Sequence, residues 1–300
     1  LADLDRKLGG LHDSDLLILA GRPSMGKTSL ATNIAFNIAR GYRKGMLPDG
    51  SEGAVSGGVV GFYSLEMSAE QLAARVLSEA AEVPSEKIRR GDMTEQEFRR
   101  FVEAAKAMES CPLYIDDTPA LPIGQLAARA RRLKRTHGLD ALFVDYLQLV
   151  RPTSARDSRV NEVSEITQGL KAIAKELDIP VVALSQLSRQ VEARDDKRPQ
   201  LSDLRESGSI EQDADVVMFV YREEYYVERE EPAAPGDSAS EEAKRKYFDW
   251  QARMTEAHGK AEVIIGKQRH GPIGSVKLAF ESEFTRFGNL VQPWQDGAAR

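Results

Sequence analysis

The stretch Gly21-Arg22-Pro23-Ser24-Met25-Gly26-Lys27-Thr28 decides the fold of this 300-residue chain. It fits the pattern G-x-x-x-x-G-K-[ST] at every position and lies between a predicted strand, Leu16–Ala20, and a predicted helix, Ser29–Arg40. Glycines in such a turn let backbone N–H groups face phosphate oxygens, and the dipole of the following helix favours the same anion. The stretch therefore predicts a P-loop that binds a nucleoside triphosphate.

Two residues of this loop are predicted to contact the phosphates and the metal ion. We expect Lys27 to reach the β- and γ-phosphates of ATP and the Thr28 hydroxyl to ligate Mg²⁺. A chance glycine-rich turn is the competing interpretation, and the strand and helix on either side argue against it. The complete predicted ATP-binding set is Gly21, Ser24, Met25, Gly26, Lys27, Thr28 and Ser29.

Two carboxylates are candidates for the chemistry of hydrolysis. Asp145 ends the apolar run Leu142-Phe143-Val144, where a P-loop fold places an Mg²⁺-binding aspartate, although a structural strand-end role is the alternative. The next residue is Tyr146, so the common second acid is missing there. Glu66 follows another predicted strand and is expected to orient the attacking water, unless it is merely an acid at a helix N-terminus.

Three polar segments downstream invite functional interpretations. Gln186, at the end of a predicted strand, is expected to hydrogen-bond the γ-phosphate, with a plain surface glutamine as the alternative. The segment Arg198–Asp215 suits sequence-independent contact with a nucleic-acid backbone through Arg205, although its composition is typical of a solvated loop. Lys267 and Arg269 lie at the tip of a predicted hairpin, where they are either solubilising or reach a phosphate held by another subunit.

The remaining pattern predicts an α/β fold with a mostly parallel central sheet flanked by helices. The predicted strands are Leu16–Ala20, Val59–Ser64, Leu113–Asp116, Ala141–Leu147, Val181–Ser185, Val216–Tyr221, Ala261–Lys267 and Ser275–Phe280. The predicted helices are Ser29–Arg40, Ala69–Ala81, Ile123–His137 and Glu162–Leu177. The last two strands form an antiparallel hairpin across His270–Gly274, near the C-terminal edge.

Three stretches lack the periodicity of strands or long helices. Gly41–Gly58 is predicted to be a flexible insertion, and Arg189–Gln200 a charged loop. Glu223–Gly259 is a second insertion that carries a predicted helix, Glu241–Arg253. No other boundary is visible, so residues 1–300 are predicted to form a single domain.

Composition excludes several classes of protein. The single cysteine, Cys111, rules out an internal disulfide, which favours a reducing cytoplasm. No stretch approaches the ~20 apolar residues of a membrane span, and no signal peptide is visible at the start, so we expect no membrane association. The net charge of −6 argues against a uniformly basic surface but does not exclude local contacts with nucleic acid.

Six segments occur in the order typical of one family: GRPSMGKT (21–28), FYSLEMS (62–68), LFVDYLQL (142–149), ALSQLSR (183–189), LSDLRESGSIEQDAD (201–215) and GKQRHGP (266–272). The chain thus resembles the C-terminal domain of DnaB-family replicative helicases, from Asp3 to about Phe280. A generic RecA-like ATPase would share only the first segment and a loose version of the third.

The resemblance implies a RecA-like P-loop NTPase that uses ATP and Mg²⁺ to translocate on single-stranded DNA and unwind duplex at the replication fork. The residue roles it implies are phosphate and metal binding for Lys27 and Thr28, catalytic base for Glu66, metal binding for Asp145, phosphate sensing for Gln186, trans-acting cations for Lys267 and Arg269 (the arginine finger), and contact with single-stranded DNA for Arg205, Glu206 and Gly208. A finger acting in trans requires a head-to-tail interface, and the family forms a homo-hexameric ring.

The family's N-terminal helical domain is expected to be absent from this stretch of sequence, so primase and helicase loader are expected as partners of the full-length protein. Two other functions share the same ATP site. One is a RecA-like filament ATPase for recombination or repair, although such proteins usually carry an N-terminal docking strand that the opening LADLDRKLGG lacks. The other is a regulatory ATP-binding module that does not act on DNA.

Overall fold

A mostly parallel β-sheet forms the centre of the molecule, in a computed structural model that describes residues 1–47, 50–153, 158–204, 207–236 and 240–290. The strands are β1 (Leu16–Gly21), β2 (Arg43–Met46), β3 (Glu52–Ser56), β4 (Val60–Ser64), β5 (Leu113–Asp116), β6 (Ala141–Asp145), β7 (Val181–Gln186), β8 (Val216–Tyr221), β9 (Lys260–Gln268), β10 (Gly274–Glu281) and β11 (Arg286–Asn289). Within those ranges, nine strands form one sheet in the order β11-β10-β9-β8-β1-β7-β6-β4-β5. The pairings from β8 to β5 are parallel and those from β8 to β11 antiparallel, which confirms the predicted fold class and the C-terminal hairpin.

Helices cover both faces of this sheet. They are α1 (Ala2–Leu8), α2 (Lys27–Arg40), α3 (Ala69–Ala81), α4 (Ser85–Arg90), α5 (Glu95–Glu109), α6 (Ile123–His137), α7 (Arg159–Leu177), α8 (Ser207–Asp213), α9 (Glu223–Arg229) and α10 (Glu241–Ala257). Local sequence fixes several of their starts: α3 begins at a capping box of Ser68 and Gln71, and α5 at one of Thr94 and Glu97.

The alternation of side chains along β1 divides the core into two layers. Leu17 and Leu19 pack into the cluster that includes Leu30 of α2, whereas Leu16 and Ile18 face the cluster that includes the buried residues of α6 and α7. Since both faces of the parallel strands are covered, these strands read as continuous apolar runs in the sequence.

Phe143, on β6, supplies a direct test of this packing. Its side chain is fully buried and stacks on Phe62 of β4, with ring centroids 5.7 Å apart. We expect Phe143→Ala to lower the free energy of unfolding by about 3–5 kcal/mol, because it removes buried surface and leaves a cavity. Urea denaturation monitored by circular dichroism measures the change. Phe98→Ala, at an exposed position of α5, is the control, and equal losses in both variants would contradict the assignment of the core.

The insertion Gly41–Gly58, for which the sequence predicts no regular structure, contains the antiparallel pair β2 and β3. The side chains of both strands are mostly exposed. An ion pair between Lys44 and Glu52, at 2.6 Å, joins the two strands. Because neither strand packs against the core, neither shows the apolar alternation from which a strand is predicted.

Other boundaries also differ from the prediction. β6 ends at Asp145 and is followed by a 3₁₀ turn over Leu147–Leu149, so the predicted strand was two residues too long. The polar segment Arg198–Asp215 contains α8 rather than a loop, because the buried Ile210 anchors it. The sequence pattern predicts none of the helices α1, α4, α5 and α9, nor strand β11.

The second insertion is a helical hairpin. The predicted helix Glu241–Arg253 is confirmed as α10 and extends to Ala257. Trp250 of α10 donates a hydrogen bond from Nε1 to the carbonyl oxygen of Val227, on α9, at 2.8 Å. None of the helices within the described ranges has the length and the apolar run that a membrane span requires.

Candidate nucleotide-binding site

The P-loop joins the end of β1 to the start of α2. Gly26 adopts the left-handed conformation (φ 94°), and a Cβ atom at this position would lie 2.9 Å from Cζ of Phe287. The first hydrogen bond of α2 runs from the N–H of Leu30 to the carbonyl oxygen of Gly26, so the preceding N–H groups have no partner inside the helix. No side chain in the described ranges caps α2, and its N-terminus is therefore open to an anion.

Lys27 is the first residue of α2, and the stem of its side chain lies beside Gly21. A Cβ atom at position 21 would lie 3.0 Å from Cγ of Lys27, so Gly21 makes room for the lysine stem. Burial lowers the pKa of Lys27, while the negative charges of Asp145 and Glu66 act to raise it. The site thus contains a half-buried cation that interacts with two carboxylates.

The other predicted ATP-binding residues divide into two groups. The side chains of Met25 and Ser29 are buried, so they can contribute to phosphate binding only through the backbone. Ser24 is exposed and has a positive φ of 66°. Arg22, inside the loop, forms an ion pair with Glu192 at 2.8 Å.

Thr28 and Asp145 form the candidate Mg²⁺ site. The Thr28 hydroxyl donates to Oδ2 of Asp145 at 2.8 Å, and the carboxylate is only 1% exposed. Its Oδ1 atom is buried and has no hydrogen-bond partner among the described residues. Burial raises the pKa of Asp145, and the Thr28 hydrogen bond and the Lys27 charge oppose this rise. An orphaned carboxylate oxygen beside a hydroxyl fits a hard cation such as Mg²⁺.

The described residues contain no group of three or more His, Cys, Asp or Glu side chains that could hold a metal by themselves. A Mg²⁺ ion at Thr28 and Asp145 would therefore take further oxygens from phosphates and water. This arrangement is common for magnesium, which keeps several waters and binds few carboxylates.

Glu66 lies at the same edge of the sheet. It follows β4, whose last residue, Ser64, pairs with Asp145 of β6. The N–H of Leu65 donates to the carbonyl oxygen of Asp145 at 2.8 Å, which fixes the backbone next to Glu66. The Glu66 side chain is exposed, and no hydrogen bond or ion pair within the described residues engages it. Its carboxylate is therefore available to a water molecule.

Arg75 of α3 is a site residue that the sequence interpretation missed. Burial lowers the pKa of Arg75, and the charges of Asp145 and Glu66 act to raise it. This half-buried guanidinium thus interacts with both carboxylates of the site. Arg75 comes three residues after Leu72 and next to Val76, and both of these residues are buried. This helical spacing places Arg75 towards the buried face of α3, which is the signal that could have identified it.

We expect Arg75→Ala to lower kcat for ATP hydrolysis by about 10²-fold, because a fixed cation that stabilises charge developing on phosphate is lost. Steady-state hydrolysis measures the effect. Arg99→Ala, which removes an exposed arginine that pairs within α5, is the control and should leave hydrolysis unchanged. An active Arg75→Ala variant would restrict this arginine to a structural role.

Gln186 ends β7 beside the P-loop, since it pairs with Gly21 in the parallel register. Its backbone N–H donates to Oε1 of Gln148 at 3.3 Å, and Nε2 of Gln148 donates to Oγ of Ser185 at 2.9 Å. Gln148, in the 3₁₀ turn after β6, thereby fixes the end of β7. Sequence reasoning did not identify Gln148, since an isolated glutamine after a strand carries no distinctive pattern.

Lys267 and Arg269 lie at the opposite end of the central strands from the P-loop. In the antiparallel register Lys267 faces Val217, at the start of β8, whereas the P-loop follows the carboxyl end of β1. Because the strands are six residues long, these two ends lie roughly 20 Å apart. The two cations therefore cannot act on the nucleotide of their own chain.

Both cations are held by residues around the start of β8. Nζ of Lys267 donates to the carbonyl oxygens of Glu211 and Ala214, at 2.5 and 2.6 Å, and Arg269 forms an ion pair with Asp215 at 3.0 Å. Burial and the charge of Arg269 lower the pKa of Lys267.

Two of the three predicted DNA-binding residues, Arg205 and Glu206, lie outside the described residues. The third, Gly208, is exposed in α8, and a Cβ atom placed on it would meet no atom within 4 Å. Its position is compatible with a surface contact, and its role in binding DNA stays a prediction.

The family model of the DnaB-like helicase C-terminal domain matches residues 1–289. A relative described as replicative DNA helicase DnaB, from Rickettsia typhi (strain ATCC VR-144 / Wilmington), is 54% identical over 290 residues, or 97% of this chain and 56% of that protein. Two solved structures, each 37% identical, cover 97% of this chain. One is of a DnaB-like replicative helicase and its interactions with primase (TM-score 0.79, 61% of that chain), and the other is of an ATPase domain (TM-score 0.78, 89% of that chain). The chain spans little more than half the length of the curated relatives it matches.

Proposed function

Because the chain belongs to the family of DnaB-like helicase C-terminal domains, we propose that it is the ATP-hydrolysing domain of a replicative DNA helicase. The observation that carries the proposal is the convergence of Lys27, Thr28, Asp145 and Glu66 at one edge of the sheet. We propose residues 1–300 as a single RecA-like motor domain that works in the cytoplasm.

In this proposal ATP binds with its phosphates at the N-terminus of α2. Lys27 neutralises charge on the β- and γ-phosphates, and Thr28 and Asp145 hold a Mg²⁺ ion, which supplies further charge stabilisation when bound. Glu66 accepts a hydrogen bond from the attacking water and orients it towards the γ-phosphorus atom. Gln186 senses the γ-phosphate from the end of β7.

The finger would come from a neighbouring subunit. Since Lys267 and Arg269 are separated from their own P-loop by the length of the central strands, a role in hydrolysis requires a second copy of the chain. Such a head-to-tail contact closes into a ring when the rotation permits, and a homo-hexamer is the ring we propose. At each interface the nucleotide site of one subunit would then meet Lys267 and Arg269 of its neighbour.

Single-stranded DNA is the proposed substrate, and its phosphates would be contacted by the Arg205 side chain and by the backbone N–H groups of Glu206 and Gly208. One structural relative is described with its interactions with primase, and we extend primase, together with a helicase loader, to the full-length form of this protein as proposed partners.

The test is ATP hydrolysis with and without single-stranded DNA, combined with separation of a forked DNA duplex. We expect DNA to stimulate hydrolysis, ATP to drive strand separation, and Lys27→Ala to abolish both. Hydrolysis by an assembled ring that never moves a fork would overturn the helicase proposal. Open filaments in electron micrographs, rather than rings, would indicate a recombination-type ATPase.

A further inference from the structure

Asp215 is a buried carboxylate at the junction of α8 and β8, remote from the P-loop. Its side chain is 3% exposed, and Oδ2 accepts hydrogen bonds from the N–H of Leu16, at 2.8 Å, and from Nζ of Lys171. Lys171 also donates to the carbonyl oxygen of Ser14 at 2.8 Å. Strand β1 and helix α7 therefore fix the position of this carboxylate.

Arg269 is attached to Asp215 twice. Its backbone N–H donates to the carbonyl oxygen of Asp215 at 2.9 Å, and its Nη1 atom lies 3.0 Å from Oδ1. The Arg269 side chain is nevertheless 48% exposed, and among the described residues its guanidinium forms no ion pair other than this one. One edge of the guanidinium is thus anchored and the other edge faces outward.

Neutralising the buried charge of Asp215 does not require Arg269. Burial acts to raise the pKa of Asp215, but the hydrogen bonds from Lys171 and Leu16 and the charges of Lys171 and Arg269 outweigh it and lower the pKa. Lys171 is mostly buried and in direct contact, so it already balances the carboxylate. Arg269 is a second, half-exposed cation on the remaining oxygen of Asp215. Because the charge of Asp215 is already balanced, the ion pair is better explained by its effect on the position of Arg269.

We propose that Asp215 is a positioning residue that holds the guanidinium of Arg269 at the subunit surface, oriented towards the nucleotide of the neighbouring subunit. The inference rests on the proposed function, since it assumes that Arg269 acts in trans. An arginine on an unsupported turn would sample many rotamers, and a misplacement of about 1 Å can reduce a reaction rate by about 10²-fold.

The variant Asp215→Asn tests whether Asp215 positions the guanidinium of Arg269. The amide oxygen can still accept from Leu16 and Lys171, which turns the amide NH₂ group towards the Arg269 guanidinium, where two donors face each other. We expect kcat of the assembled protein to fall by about 10²-fold while its own nucleotide binding, measured by fluorescence titration, is unchanged. Asp215→Glu, which keeps the charge but displaces the carboxylate by one methylene, provides a second variant if Asp215→Asn does not fold.

Mixing experiments identify the side of the interface that the variant damages. Glu66→Gln subunits keep a good finger, and Arg269→Ala subunits keep a good nucleotide site. If Asp215 positions the finger, Asp215→Asn mixed with Glu66→Gln regains part of the activity, whereas Asp215→Asn mixed with Arg269→Ala does not. A merely structural defect would not follow this pattern.

Other outcomes are equally decisive. Activity regained on mixing with Arg269→Ala, or full activity of Asp215→Asn alone, would overturn the inference about Asp215. If Arg269→Ala itself hydrolyses ATP normally, the trans mechanism of the proposed function fails instead, whatever Asp215→Asn does.

Discussion

Glu66→Gln is expected to lower kcat for ATP hydrolysis by about 10²–10⁴-fold, the contribution typical of a positioned general base. The amide cannot take the proton of the attacking water, but its size and its position after β4 are unchanged. ATP binding should persist, because the N-terminus of α2, Lys27 and the Thr28–Asp145 pair do not depend on Glu66 for any hydrogen bond.

Pre-steady-state quench-flow gives the rate of the chemical step, and titration with a fluorescent ATP analogue gives the affinity. Glu70→Gln is the matched control, since Glu70 is exposed in the first turn of α3, four residues after Glu66. It should hydrolyse ATP at the wild-type rate. Equal losses in both variants would point to a general charge effect, and normal hydrolysis by Glu66→Gln would transfer the role of base to another residue.

Much of the fold could be predicted because its strands are buried on both faces. The runs that became β1, β4, β6, β7 and β8 are continuous in apolar residues, and this pattern is visible without any tertiary information. The P-loop was equally accessible, since the backbone conformation of Gly26 and the space beside Gly21 require glycine. The exposed pair β2 and β3 lacks any apolar pattern, and it was therefore missed.

Outside the P-loop motif, the candidate site could be predicted only where a residue ends a strand or closely follows one. Asp145 and Gln186 end strands, so parallel pairing brings them to one edge. Arg75 enters the site from the middle of a helix, and Gln148 from a 3₁₀ turn, so only the packing of these elements reveals them. The separation of Arg269 from its own P-loop is likewise a property of the antiparallel register of β9.

Arg269→Ala is expected to lower kcat of the assembled protein by about 10³–10⁵-fold, the range associated with arginine fingers. ATP affinity should change little, because the ground-state contacts of the phosphates are made by the subunit that contains the P-loop. The measurement is hydrolysis at saturating ATP, alongside light scattering to verify that the subunits remain assembled.

Arg131→Ala is the matched control for this variant. Arg131 is 50% exposed and forms an ion pair with Glu176, much as Arg269 is 48% exposed and pairs with Asp215, but it lies on α6. Arg131→Ala should hydrolyse ATP normally, which would separate loss of the finger from the general effect of removing a half-exposed arginine and its ion pair. If Arg269 acts in trans, mixing inactive Arg269→Ala subunits with inactive Glu66→Gln subunits restores part of the hydrolysis, because some interfaces then join an intact finger to an intact nucleotide site. A mixture that stays inactive although both variants assemble would place the Arg269 defect within its own chain, and the ring in which neighbours complete each other's sites would have to be abandoned.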